Sequence, residues 1–197
     1  MADISTGGNV DVLSSYDRSR VHMLGGQVTD LEHHGWGLYN DGLCLSGGYI
    51  NNLLAVTSMT YLNGTHVNHL CFEGYTRSLM SAGEVDELNV GGNPDYFDYG
   101  WIDLVGGTIH TINDYSTGFV TTIIFHGYNF SLGPGLSLDG DRLLGSGILS
   151  GSPLYHHVGH WYTQINQYNS DSRIFLLPEP ATIVLLGLGG FFLRRRK

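Results

Sequence analysis

A block of seven residues recurs six times in the first 112 positions: GGNVDVL (7–13), GGQVTDL (25–31), GGYINNL (47–53), GTHVNHL (64–70), AGEVDEL (82–88) and GGTIHTI (106–112). Each copy runs from small or glycine residues through a β-branched residue to Leu or Ile three positions later. The closing residues, 13, 31, 53, 70, 88 and 112, are spaced by 18, 22, 17, 18 and 24. The upstream flank repeats as well: Val21 and Met23 precede Gly25, Leu43 and Leu45 precede Gly47, Met59 and Tyr61 precede Asn63, and Ile102 and Leu104 precede Gly106. Ser78 and Met80 form a weaker copy. Apolar residues at alternate positions are the signature of a strand with one buried face.

The unit is therefore strand, glycine corner, short strand, variable loop. One such unit cannot bury its apolar side alone, whereas copies stacked about 4.8 Å apart pair with their equivalents and enclose a continuous core. The expected fold is all-β: a right-handed parallel β-solenoid of five to six irregular rungs over 1–118, a short β-rich cap over 119–177, and a hydrophobic C-terminal helix within 178–197. Uneven spacing follows if one corner carries the insertions, with Asn40-Asp41-Gly42 and Asn93-Pro94-Asp95 as turn-forming stretches there. An antiparallel sandwich with hairpins at the glycines is the alternative. Recurrence of the inward positions in one order favours the solenoid, because hairpins reverse direction. Counted from the glycines, Asp3 and Ser5 fall where Val21 and Met23 stand. The first copy is thus read as lacking its upstream half, and the natural chain as beginning further upstream with a signal peptide, since MADISTGGNVDVLSS has neither a basic nor an apolar leader region.

Charge is distributed unevenly. Four of the nine basic residues are Arg194, Arg195, Arg196 and Lys197, which leaves 1–177 with five arginines, no lysine and seventeen acidic residues, a net of −12. Such a body repels nucleic acid and anionic membrane surfaces. Only the tail is cationic. There Pro178-Glu179-Pro180 precedes thirteen mostly apolar residues, Ala181 to Leu193, and then the four positive charges. A self-sufficient span needs about 18 apolar residues or more. The glycines at 187, 189 and 190 suit a membrane helix better than a soluble one, and the flanking positive charges would stay on the cytoplasmic side.

These three elements, in this order at the extreme C-terminus, resemble the PEP-CTERM sorting signal of exported bacterial proteins. The resemblance covers about the last tenth of the chain. It implies a membrane-embedded partner of the exosortase type, transient residence in the inner membrane through the C-terminal helix, and release to the cell surface or extracellular matrix. It describes an address and leaves activity open.

Candidate chemistry elsewhere is sparse. His33-His34 and His156-His157 with His160 are the histidine groups, but no HExxH occurs, and surface turns and tyrosine stacking account for them better than a metal site. Asp139-Gly140-Asp141 resembles a fragment of a calcium loop without the remaining ligands. Cys44 and Cys71 occupy different places in their rungs, which argues against a disulfide and reads as two small buried hydrophobes. Asp30, Asp86 and Glu87 follow the glycine corners and read as a solvated outward face rather than an acid/base pair. No nucleotide-binding, cofactor-binding or hydrolase fingerprint is present. The expectation is a non-enzymatic structural or adhesive protein without cofactor. Carbohydrate or calcium binding is the alternative, with Trp36, Tyr39 and Tyr75 as aromatic platforms for a polysaccharide, and a polysaccharide lyase or hydrolase is a third reading.

Overall fold

A computed structural model describes residues 2–5, 7–35, 42–91, 100–115, 121–154, 161–168 and 173–178. Of these, 82% are in strands and none is helical; the chain winds a β-solenoid of about five turns. The first rung is β1 (Ala2–Ile4) and β2 (Asn9–Tyr16). The next four are single bent strands: β3 (Arg20–His34), β4 (Gly42–Val56), β5 (Met59–Glu73) and β6 (Arg77–Val90). The sixth is β7 (Trp101–Leu104) and β8 (Thr108–Asp114). All pair in parallel with their neighbours, which excludes the sandwich over the repeats.

Burial along β3 shows how one rung encloses a core. Val21 and Met23 point in, then Val28, then Leu31 and His33. Strict alternation would put buried residues two apart. The spacing of three from Val28 to Leu31 marks a bend, and the register shift between Met23 and Gln27 marks the glycine corner. Each rung thus has three sides, closed by the connection to the next. The connections vary from two residues (Thr57 and Ser58) to ten (91–100) while the strands stay in register, so insertions collect at one corner as expected.

Stacking the rungs aligns like on like. Leu31, Leu53, Leu70, Leu88 and Ile112 form one continuous column, and Val28, Ile50, Val67, Val85 and Ile109 another. All ten are buried to 2% exposure or less. Each fully buried aliphatic side chain of this size contributes about 1.5–3 kcal/mol by leaving water.

Two expectations about register are corrected. The upstream residues buried in β5 are Thr60 and Leu62, not Met59 and Tyr61; they stack on Leu43 and Leu45. The interval from Met23 to Val28 is preserved as Leu45–Ile50, Leu62–Val67, Met80–Val85 and Leu104–Ile109, and this interval, rather than the glycine, sets the phase. It leaves Tyr61 outside, 42% exposed. In the first rung the corner is one residue longer. Ala2 and Ile4, not Asp3 and Ser5, therefore pair with Val21 and Met23, and Ile4 is buried. The upstream half of the first rung is present.

Beyond the sixth rung the chain makes an excursion before resuming the stack. β9 (Thr122–Leu132) begins as the next upstream side, on β7. It then leaves through the hairpin β10 (Leu136–Asp139) and β11 (Arg142–Gly145) and returns as β12 (Gly147–Pro153), antiparallel to β9. β13 (Trp161–Gln167) pairs in parallel with β8 and supplies the downstream side, and β14 (Arg173–Pro178) lies in parallel on β9. Trp161, 1% exposed, fastens the excursion. Its ring meets Phe125 edge-on and stacks on Phe130, and its Nε1 donates to the Gly107 carbonyl at 3.1 Å. Among the described residues no helix is long and apolar enough to cross a membrane.

Candidate functional site

The outward side chains beside the glycine corners form a connected polar surface. Parallel stacking places Gln27, Tyr49, His66, Glu84 and Thr108 in one row, and Asp30, Asn52, His69, Glu87 and Thr111 in another. Asn52 Nδ2 donates to Asp30 Oδ1 at 2.7 Å. The Asn68 amide donates to the Tyr49 hydroxyl and, at 3.0 Å, to Asn51 Oδ1. Asn113 donates to Glu87 Oε1 at 2.8 Å and to Asn89 Oδ1 at 3.0 Å, and accepts from Asn166 Nδ2 at 2.8 Å. These contacts run between rungs, so the polar coat braces the stack as well as solvating it.

Its centre is a group of two carboxylates between two imidazoles. Glu84 and Asp86 stand two residues apart on β6 and share a face. From β8, His110 Nε2 lies 2.7 Å from Glu84 Oε1 and 3.9 Å from Asp86 Oδ1. From β5, His66 reaches the opposite oxygens: Nε2 to Asp86 Oδ2 at 3.3 Å and Nδ1 to Glu84 Oε2 at 3.8 Å. The ring of Tyr49 meets His66 edge-on. All four charged or titratable side chains are 39–48% exposed, so the group lies on an open face rather than in a cleft. One ligand atom from each of Glu84, Asp86 and His110 lies within 4.8 Å of the others, a geometry that can hold a metal ion.

A different row marks the upstream side. Arg20, Gly42, Met59, Arg77, Trp101, Thr122 and Arg173 succeed one another by register. Three of the five arginines outside the tail thus share one line at three-rung intervals, about 14 Å at a rung spacing near 4.8 Å. Between Arg20 and Arg77 lie two surface grooves that share Met59 and Tyr61; Tyr61 and Trp101 are exposed.

The sequence candidates divide as follows. Asp30, Asp86 and Glu87 do face outward in repeated positions. His33 and His34 alternate: His34 stacks on Tyr16 and meets Glu32 at 2.7 Å, as expected of a surface histidine. His33 instead points into the core, fully buried, with Nδ1 2.7 Å from Ser15 Oγ. Asp139-Gly140-Asp141 is a hairpin turn and not a calcium loop. Asp139 pairs with Arg142, and Gly140 takes φ 61° at the first central position, where a type II′ turn requires glycine. Cys44 and Cys71 form no disulfide, but neither is buried. Both lie on strand faces pointing away from the core, which is filled at those rungs by Leu43, Leu45, Leu70 and Phe72. Tyr75 is exposed as expected. Trp36, Tyr39, His156, His157 and His160 lie outside the described residues, as do Glu179, Pro180, the segment Ala181 to Leu193, and Arg194 to Lys197. Pro178 closes β14.

His66, Glu84, His110 and the arginine row were missed in sequence. Their signal was offset within the repeat: His66 and Glu84 hold the third position of their blocks, Asp86 and His110 the fifth.

Neither a curated protein nor a solved structure matches the chain. Its last residues do have a counterpart: residues 177–197 match the PEP-CTERM protein-sorting motif, which implies an exported protein sorted by exosortase, a membrane enzyme.

Proposed function

We propose that this chain is a non-enzymatic structural or adhesive component of the cell surface or extracellular matrix, delivered by its C-terminal signal. The sorting motif at 177–197 carries this reading. The solenoid beneath it supports it: a stiff stack whose polar side chains are bonded from rung to rung, with no enclosed cleft around its paired carboxylates. In this reading Ala181 to Leu193 form a helix that resides in the inner membrane until exosortase acts near Pro178-Glu179-Pro180, with Arg194 to Lys197 on the cytoplasmic side. The test is fractionation of the native host with mass spectrometry of the mature C-terminus. A form outside the cell that lacks Arg194 to Lys197 is expected; an intact tail on a cytosolic protein would overturn the reading.

A second reading is favoured by the arginine row. Arg20, Arg77 and Arg173 at regular intervals, with Tyr61 and Trp101 exposed between them, suit an acidic polysaccharide. Sugar rings would stack on the aromatics and carboxylates would meet the guanidinium groups. Retention on immobilised acidic polysaccharide, reduced at least tenfold in Arg77→Gln and Trp101→Ala, is the outcome this reading requires.

A further inference from the structure

We propose that Glu84, Asp86 and His110 form a surface site for a divalent transition-metal ion of the zinc type, with His66 as the residue that orients Asp86. Zinc bonds of about 2.0–2.2 Å to nitrogen and oxygen set neighbouring tetrahedral ligand atoms roughly 3.4 Å apart. The distances from His110 Nε2 to Glu84 Oε1 and Asp86 Oδ1, 2.7 and 3.9 Å, bracket that separation. Small side-chain rotations therefore admit an ion without moving the backbone.

The donor set selects the metal. Two carboxylate oxygens and one imidazole nitrogen suit zinc and its neighbours, whereas calcium prefers six to eight oxygens. His66 Nε2 lies 3.3 Å from Asp86 Oδ2, the oxygen facing away from His110, the arrangement by which outer groups fix a ligating carboxylate. Open exposure leaves the remaining positions to water or to a donor from another molecule. The charges point the same way. Glu84 and Asp86 bring two negative groups onto one face of β6, and imidazoles rather than lysine or arginine stand against them. A divalent cation neutralises both at once. The ligands come from two adjacent rungs, so binding would also clamp β6 to β8.

The full chain is titrated with Zn²⁺ against a chromophoric chelator, with Ca²⁺ as contrast. The expected result is one saturable Zn²⁺ site per chain that Ca²⁺ does not compete for. It should be weakened at least tenfold by His110→Ala and by Glu84→Gln, by less in His66→Ala, and be unchanged in His34→Ala. Circular dichroism of each variant checks that the fold persists, and the isosteric Glu84→Gln guards against a packing defect. Because binding stabilises the state that binds, Zn²⁺ should also raise the melting temperature of the native chain and not of His110→Ala. Zn²⁺ binding unaffected by His110→Ala and Glu84→Gln, or lost instead when His156, His157 and His160 are replaced by Ala, would overturn the assignment.

Discussion

A Cβ added to Gly48 would lie 2.6 Å from the carbonyl oxygen of Gly26, one rung below, and equally close to Met23 Cε. Gly48 also adopts φ 88°, a conformation L side chains rarely take. The corners of successive rungs therefore approach through bare backbone. Gly48→Ala is expected to destabilise the solenoid by more than about 2 kcal/mol, combining backbone strain with a clash against main chain that cannot retreat. Gly7 has a similar φ of 84° but nothing within 4 Å of the added atom, so Gly7→Ala should cost only about 1 kcal/mol. Chemical denaturation of both variants measures the difference; equal losses would show that the close approach is not limiting.

Phe72, 2% exposed, stacks between Ala55 and Val90. Its removal leaves a void between rungs that strand pairing prevents from closing. Phe72→Ala should cost about 3–5 kcal/mol in denaturant unfolding.

Asn113, 7% exposed, donates to Glu87 and Asn89 and accepts from Asn166, 53 residues away. Asn113→Ala strips partners from three side chains and should destabilise by about 1–3 kcal/mol. Hydrogen exchange should rise first in β8 and β13, because this side chain ties the strand after the excursion to the repeats.

Trp161→Ala should cost about 3–5 kcal/mol and loosen the β9–β12 excursion before the repeats. Trp161→Phe keeps much of the ring packing but loses the hydrogen bond to Gly107. Limited proteolysis of the two variants separates the contributions: cleavage confined to 127–154 is expected, and uniform cleavage of the repeats would contradict this anchoring role.

Tyr115 and Tyr168 stack with centroids 4.7 Å apart and planes at 1°. Desolvation in this stack, and then the charge and hydroxyl of Tyr168 and the charge of Glu87, raise the Tyr115 pKa above its ordinary value. The raised value favours the neutral phenol in the folded state, so any stability it contributes is present below the ordinary tyrosine pKa and lost as the pH rises through the raised one. Ultraviolet titration should show Tyr115 ionising late, and Tyr168→Phe should bring it down.

The seven-residue block determined the parallel stack and its inner columns. A β-branched residue followed by Leu or Ile three positions later can be buried together only if the chain bends between them, and copies in one order can pair only in parallel. The tail, too, was legible in sequence, because an address is carried by local order and charge. Phase at the corners was not. Glycine suggests where the chain turns, but the fixed interval between buried residues decides which side chain enters, and that put Leu62 inside in place of Tyr61 and Ile4 in place of Ser5. Tertiary structure alone joined His66, Glu84, Asp86 and His110 across three rungs, aligned Arg20, Arg77 and Arg173, and sent 133–154 on an excursion before β13 resumed the stack. The reason is physical: inward positions are selected by hydrophobicity, which a single sequence displays, whereas outward neighbours are set by the register between rungs, and that register emerges only once the core columns have packed.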